Sequence, residues 1–315
     1  MDINTFCKLP TQNIAQILQE KGPIVCVFPF NGTRRWFMLE HANSVTSFEN
    51  DYMEKMTARM AEICTMLFEH GIDTLLIPLL SPRLFDARGS HYTQMTLQSL
   101  NLLCDHPALA SLYETLQVSA RFYGDYENYL NQEPFTHLLD KFQQLTRKTV
   151  VYNNHRVFWG ICAHDATQTT TDLAIRYFQT HRKMPDKQDL IKMYYGESLP
   201  PVNIFITEGK PRAYDMPLLS SGNEDLYFTA SPSPYLSEQQ LRKILYDHLY
   251  TRPKDKERYG LLELEDREAM RVFYQANVNN ILGVGEKHTH WGIWYPTASP
   301  VVPGEPANDT ISRKT

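Results

Sequence analysis

The order of apolar runs predicts an α/β fold: one domain whose central, mainly parallel six-stranded sheet is flanked by helices. Two observations carry this. Six short runs of strand-forming residues recur along the chain, and helical patterns fall between them. Parallel neighbours need a crossover of about a dozen residues, which is the space those helical patterns fill.

The first strand run is Ile24–Phe28, Ile-Val-Cys-Val-Phe, with no polar interruption, the pattern of a strand covered on both faces. A helix is predicted over Tyr52–His70, where Met53, Met56, Met60, Ile63, Cys64 and Leu67 recur at helical spacing and Gly71 is placed to cap the C-terminus. Thr74–Leu79 is the second strand and Tyr92–Leu103 the next helix. Strand Val118–Tyr123 and helix Pro134–Leu145 follow, then strand Val157–Ala163 and helix Thr171–Thr180. Val202–Thr207 and Leu226–Thr229 complete the six strands, with helices over Ser237–Tyr250 and Leu262–Asn277. No internal repeat and no Gly/Ser linker divides the chain. The expected domain covers residues 1–295, with a C-terminal extension from about 255, and the proline-bearing stretch 296–315 reads as a disordered tail.

Composition narrows the function. The chain has 36 acidic against 31 basic side chains, a net charge of −5, which argues against a nucleic-acid binder. No apolar run approaches the roughly 18 residues of a membrane span, and the N-terminus lacks the pattern of a signal peptide. A cytoplasmic protein is expected. Cys7, Cys26, Cys64, Cys104 and Cys162 are scattered, odd in number and form no CxxC pair, which suits a reducing compartment and disfavours a cysteine-based zinc site.

In open parallel sheets ligands bind beyond the carboxyl ends of the strands. That rule directs attention to Phe28–Trp36, Ser81–Tyr92, Gly124–Tyr126, His164-Asp165 and Glu208–Arg212. Within the first segment, Gly32 permits close backbone approach, Thr33 offers an N–H and a hydroxyl, and Arg34 and Arg35 bring planar permanent charges that match phosphate oxygens. A helix beginning here would add the positive end of its dipole. A turn with two solvated arginines is the competing reading, and the spacing of a Walker A loop is absent. Tyr52 and Tyr92 each begin a predicted helix; packing is the plain reading, and stabilising a cation or placing water the functional one. The Met53/Met56/Met60 stripe suits either core or the wall of an apolar tunnel. His288 and His290 fit a turn better than a metal site, and Ser220-Ser221-Gly222 only partly resembles a nucleophile elbow. Asp165 is as well suited to capping a helix as to lining a pocket.

The segment Phe28-Pro29-Phe30-Asn31-Gly32-Thr33-Arg34-Arg35-Trp36-Phe37 resembles the tuberculosinol/isotuberculosinol synthase family, diterpene synthases with the fold of cis-prenyltransferases of the undecaprenyl diphosphate synthase type. The likeness continues at Leu67–Ile72, Phe122–Tyr126, Tyr194–Glu197, Pro217–Gly222, Leu226–Thr229, Ile244–His248 and Gly283–Gly285, in order over about residues 5 to 295. It implies an enzyme that ionises an allylic isoprenoid diphosphate, releases diphosphate and quenches the cation with water or by proton loss. It also implies diphosphate binding at Gly32, Thr33, Arg34 and Arg35, and the family's motif tyrosines at Tyr52 and Tyr92. A homodimer and a Mg2+ cofactor are implied as well.

One position departs from the family. Its metal-holding, catalytic Asp is Asn31 here, a neutral side chain that keeps only a weak carbonyl ligand. Three explanations stay open: an engineered substrate trap, ionisation by arginines with a diphosphate-bound metal, or a weak, altered or silent catalyst. Chain elongation is disfavoured, because Ile206 falls where elongating relatives bind isopentenyl diphosphate with an Arg, and Tyr214 replaces their Ser, although Arg212 is retained.

Overall fold

Alternation within each strand sends apolar side chains to two separate cores, one on each face of a single sheet. The computed structural model describes residues 1–42, 48–80, 89–131, 135–163, 165–212, 216–252 and 262–297. Its strands are β1 (Val25–Val27), β2 (Thr74–Leu80), β3 (Val118–Tyr123), β4 (His155–Ile161), β5 (Ile204–Glu208) and β6 (Asp225–Thr229). All six pair in parallel, in the order β3-β4-β2-β1-β5-β6. Cys26, Phe28, Leu75, Ile77, Val157, Trp159, Ile204 and Ile206 face the larger core, while Val25, Val27, Leu76, Phe158 and Phe205 face the smaller. A slip of one residue would exchange the two sets, so the pattern fixes the register Val27↔Leu76 and Val27↔Phe205.

The helices are α1 (Ile3–Phe6), α2 (Thr11–Gln19), α3 (Thr33–His41), α4 (Phe48–Glu69), α5 (Gly89–Asp105), α6 (Pro107–Thr115), α7 (Tyr126–Leu130), α8 (Thr136–Thr149), α9 (Ala166–His181), α10 (Lys187–Tyr195), α11 (Glu238–Tyr246) and α12 (Leu264–Ala276). The stripe on α4 buries Met53, Met60, Ile63, Cys64 and Leu67. Gly71, at φ +96°, closes that helix, with Ile72 N–H reaching back to Leu67 O at 3.2 Å. Each fully buried aliphatic or aromatic side chain of this kind contributes about 1.5–3 kcal/mol through burial. Asp165 caps α9 by accepting from Gln168 N–H at 2.9 Å, which is the plainer of its two expected roles; His164 lies outside the described residues.

Several elements go beyond the periodicity. Helices α1, α2, α6, α7 and α10 are not among those the sequence pattern predicts; α10 follows a reciprocal Asp186/Asp189 capping box. The helix expected over Ser237–Tyr250 becomes α11 followed by a π turn over Asp247–Thr251, where Arg252 N–H bonds Asp247 O at 3.1 Å. A two-stranded antiparallel sheet, β7 (Gly285–Lys287) with β8 (Trp294–Pro296), adds a hairpin within the C-terminal extension. His288 and His290 sit in its turn, with His288 stacked on Trp291 at 4.3 Å. Among the described residues no group of three His, Cys, Asp or Glu side chains converges as a metal site. The stretch 296–315 lies outside the described residues from 298 onward. No described helix is long and apolar enough to cross a membrane.

Candidate active site

The site begins where β1 stops. Phe28 N–H still reaches Leu76 O at 2.9 Å, but Pro29 has no N–H to continue the ladder and the chain turns away from the sheet. Gly32 then takes a left-handed conformation, φ 71° and ψ 10°, and α3 starts at Thr33. A Cβ at Gly32 would lie 2.7 Å from the Pro232 Cβ, so both conformation and space demand glycine. Gly32 has no side chain to cap α3, and the positive end of the helix dipole lies at this turn. Arg34 and Arg35 are exposed at that turn, while Trp36 and Phe37 anchor the helix from its buried side.

The loop is held from across the sheet. Asn31 N–H donates to Ser233 Oγ at 3.1 Å, Ser233 N–H donates to Asn31 O at 3.0 Å, and Ser233 Oγ donates to Pro29 O at 2.9 Å. Arg59 on α4 fixes the same Ser-Pro-Ser-Pro segment, its Nε donating to Pro234 O at 2.8 Å. Ser233 is 2 % exposed and belongs to the segment after β6. The strand-end rule applied to the sixth strand, as to the first five, would have pointed to it.

Tyr52 enters from the first turns of α4. Its hydroxyl lies 2.7 Å from Thr33 Oγ1, and its ring packs edge-on to Phe37 at 5.4 Å and parallel to Phe48 at 6.0 Å. Tyr92 stands in the first turn of α5, three residues before Met95; its side chain lies outside the described residues.

Behind the loop opens a cavity of 480 Å3, within the roughly 300–1,000 Å3 of small-molecule sites. Its mouth is Asn31, Gly32, Thr33, Arg34, Arg35 and Tyr52. Its depth is Phe30, Met53, Met56, Thr57 and Met60, with Leu79 and Leu80 from the end of β2 and Met95, Ser99, Leu100 and Leu103 from α5. The methionine stripe therefore serves both readings at once: core on one side, cavity wall on the other. A rim that carries two arginines thus leads into a chamber walled by methionines.

The chain is 37 % identical over 292 residues to a tuberculosinyl adenosine transferase of Mycobacterium tuberculosis, covering 92 % of this chain and 96 % of that protein. The chain belongs to the tuberculosinyl adenosine transferase family. It is also 24 % identical over 304 residues to a (+)-kolavelool synthase of Herpetosiphon aurantiacus, covering 93 % of this chain and 98 % of the relative. No protein-family model matches the sequence. The fold is similar to that of lavandulyl diphosphate synthase from Lavandula x intermedia in complex with dimethylallyl diphosphate, with TM-score 0.59 and 16 % identity, covering 76 % of this chain and 98 % of that one. A probable undecaprenyl diphosphate synthase from Campylobacter jejuni gives TM-score 0.53 and 15 % identity, covering 74 % of this chain and 96 % of that one. The chain thus joins membership of a diterpene enzyme family to the fold of cis-prenyltransferases.

In this member of the tuberculosinyl adenosine transferase family, the implied magnesium fits poorly. Among the described residues that line the cavity there is no carboxylate, and position 31 is a neutral amide. Glu208 ends β5 and is 9 % exposed, but it does not line the cavity. Cysteine chemistry is equally remote: burial pushes the Cys64 thiol up to about 12, and Cys26 still higher with Cys64 beside it. Ile206 is fully buried within the larger core, and Arg212 is exposed on the loop that follows; Tyr214 lies outside the described residues.

Proposed function

We propose that this protein ionises an allylic diterpenyl diphosphate, holding the diphosphate at Gly32–Arg35 and the hydrocarbon among the methionines of α4. The observation that supports this most is the adjacency of the two halves, because Arg34, Arg35 and the open turn of α3 border the same 480 Å3 cavity as Met53, Met56 and Met60. As the C–O bond breaks, negative charge gathers on the departing diphosphate. Arginines and N–H groups placed at that end of the cavity would favour that state over the ground state, and one preorganised donor is worth about 10²–10³ in rate. The methionines and leucines of the wall would shelter the hydrocarbon, and Phe30 and Tyr52, which line the same cavity, would help to tolerate the allylic cation. Tyr52, hydrogen-bonded to Thr33, sits between the two regions and is assigned to stabilising the cation or placing water. Tyr92 is assigned the same role by its motif position, and the homodimer implied by the resemblance is part of this reading.

Water is the acceptor in the primary reading. A second reading, transfer to adenosine, is favoured by the name of the 37 % identical relative. Elongation finds no support in a fully buried Ile206. Incubation with geranylgeranyl and bicyclic diterpenyl diphosphates, with and without adenosine, followed by mass spectrometry, tests both. Diterpenols in either condition support the first reading and a diterpenyl nucleoside the second; absence of product and of released diphosphate in all conditions would sink the enzyme reading.

A further inference from the structure

The geometry points to a diphosphate site that works by direct contact, without a divalent cation anchored by the protein. This inference rests on the reading of the α3 turn as the diphosphate end. A carboxylate at position 31 would stand beside Arg34 and Arg35, offset part of their charge and repel a diphosphate unless a metal bridged the two. Asn31 removes that repulsion and, with it, the reason for a bridge. The described cavity lining offers no replacement: its charged side chains are Arg34 and Arg35, both positive. Among the described lining residues, two arginines and the roughly half positive charge of a helix start without a side-chain cap give about +2.5, which offsets most of the charge of a diphosphate. Ser233 grips both main-chain groups of Asn31, so the loop is held in position without a metal to organise it. Free Mg2+ that binds the diphosphate in solution lowers its charge and competes with the arginines instead of assisting them.

Calorimetric titration of inorganic pyrophosphate into the full chain, in EDTA and in excess Mg2+, tests the inference beside Asn31→Asp and Arg35→Ala. The parent protein is expected to bind in EDTA at least as tightly as in Mg2+, and Arg35→Ala to lose about tenfold or more in both conditions. Asn31→Asp is expected to bind about tenfold more weakly in EDTA and to recover when Mg2+ is added. Its melting temperature checks that it folds, and the parent comparison decides the question if it does not. Binding by the parent that is about tenfold tighter in Mg2+ would overturn the inference while leaving the diphosphate reading intact. No binding in either condition would remove the diphosphate reading and this inference with it.

Discussion

At Gly32 a single hydrogen atom decides whether the loop can exist. The residue combines φ 71° with a neighbour 2.7 Å from where a Cβ would stand, and α3 begins immediately after it. Gly32→Ala therefore carries a left-handed backbone penalty and a clash with the Pro232 ring, together about 2–4 kcal/mol. Thermal unfolding is expected to show that loss, and pyrophosphate affinity to fall with it, because the first turn of α3 shifts. Asn31 is the complementary case. Its main chain is held by Ser233, and its side chain is the neutral group on which the proposed metal-independent site depends. Sequence exposed both residues, the glycine through turn chemistry and the asparagine through departure from a family pattern. Ser233 was not legible in the same way, because its partners, Pro29 and Asn31, lie some two hundred residues earlier in the chain.

At the scale of the element, α4 does two jobs with one stripe. Met60 is 2 % exposed and packs in the main core, yet it also lines the cavity. Flexible, unbranched methionines fill irregular space and leave a wall that adapts to a long chain. Met60→Trp is expected to shorten the chamber, so kcat/KM for geranyl over geranylgeranyl diphosphate rises, at a stability cost of about 1–3 kcal/mol for overpacking. An unchanged ratio would place the hydrocarbon elsewhere. Helix α12 is the opposite kind of element: it has apolar spacing in the sequence but buries none of its residues. Periodicity reports that an apolar face exists, whereas burial depends on what else comes near it.

Over the whole molecule, the sheet ties pH to stability through His155 at the start of β4. Its ring lies on Phe68 at 4.7 Å, and Nδ1 donates to Ile72 O at 3.0 Å. Burial lowers its pKa from the ordinary 6.5, while the Ile72 carbonyl and Asp73 oppose the shift. The folded state therefore binds a proton less readily than the unfolded chain. Stability is then fully present above about pH 6.5 and is lost as pH falls toward the depressed folded value. Melting temperatures measured from pH 7.5 down to 5 should fall for the parent protein. They should fall less for His155→Gln, and equal slopes would refute the assignment.

What the amino-acid sequence determined by itself is local. Short runs of strand-forming residues, set between helical patterns, located all six strands, because both faces of the sheet are covered and its strands are largely apolar. The turn after β1, with its glycine and two arginines, was legible for the same reason: its chemistry is contiguous in the chain. Tertiary structure alone decided what those residues share. The Ser233 clamp, the Thr33–Tyr52 contact and the joining of α4 and α5 around one chamber are pairings across many residues, set by strand order β2-β1-β5-β6 and by helix packing. No local pattern encodes such distances. They follow from burying two faces of one sheet at the same time.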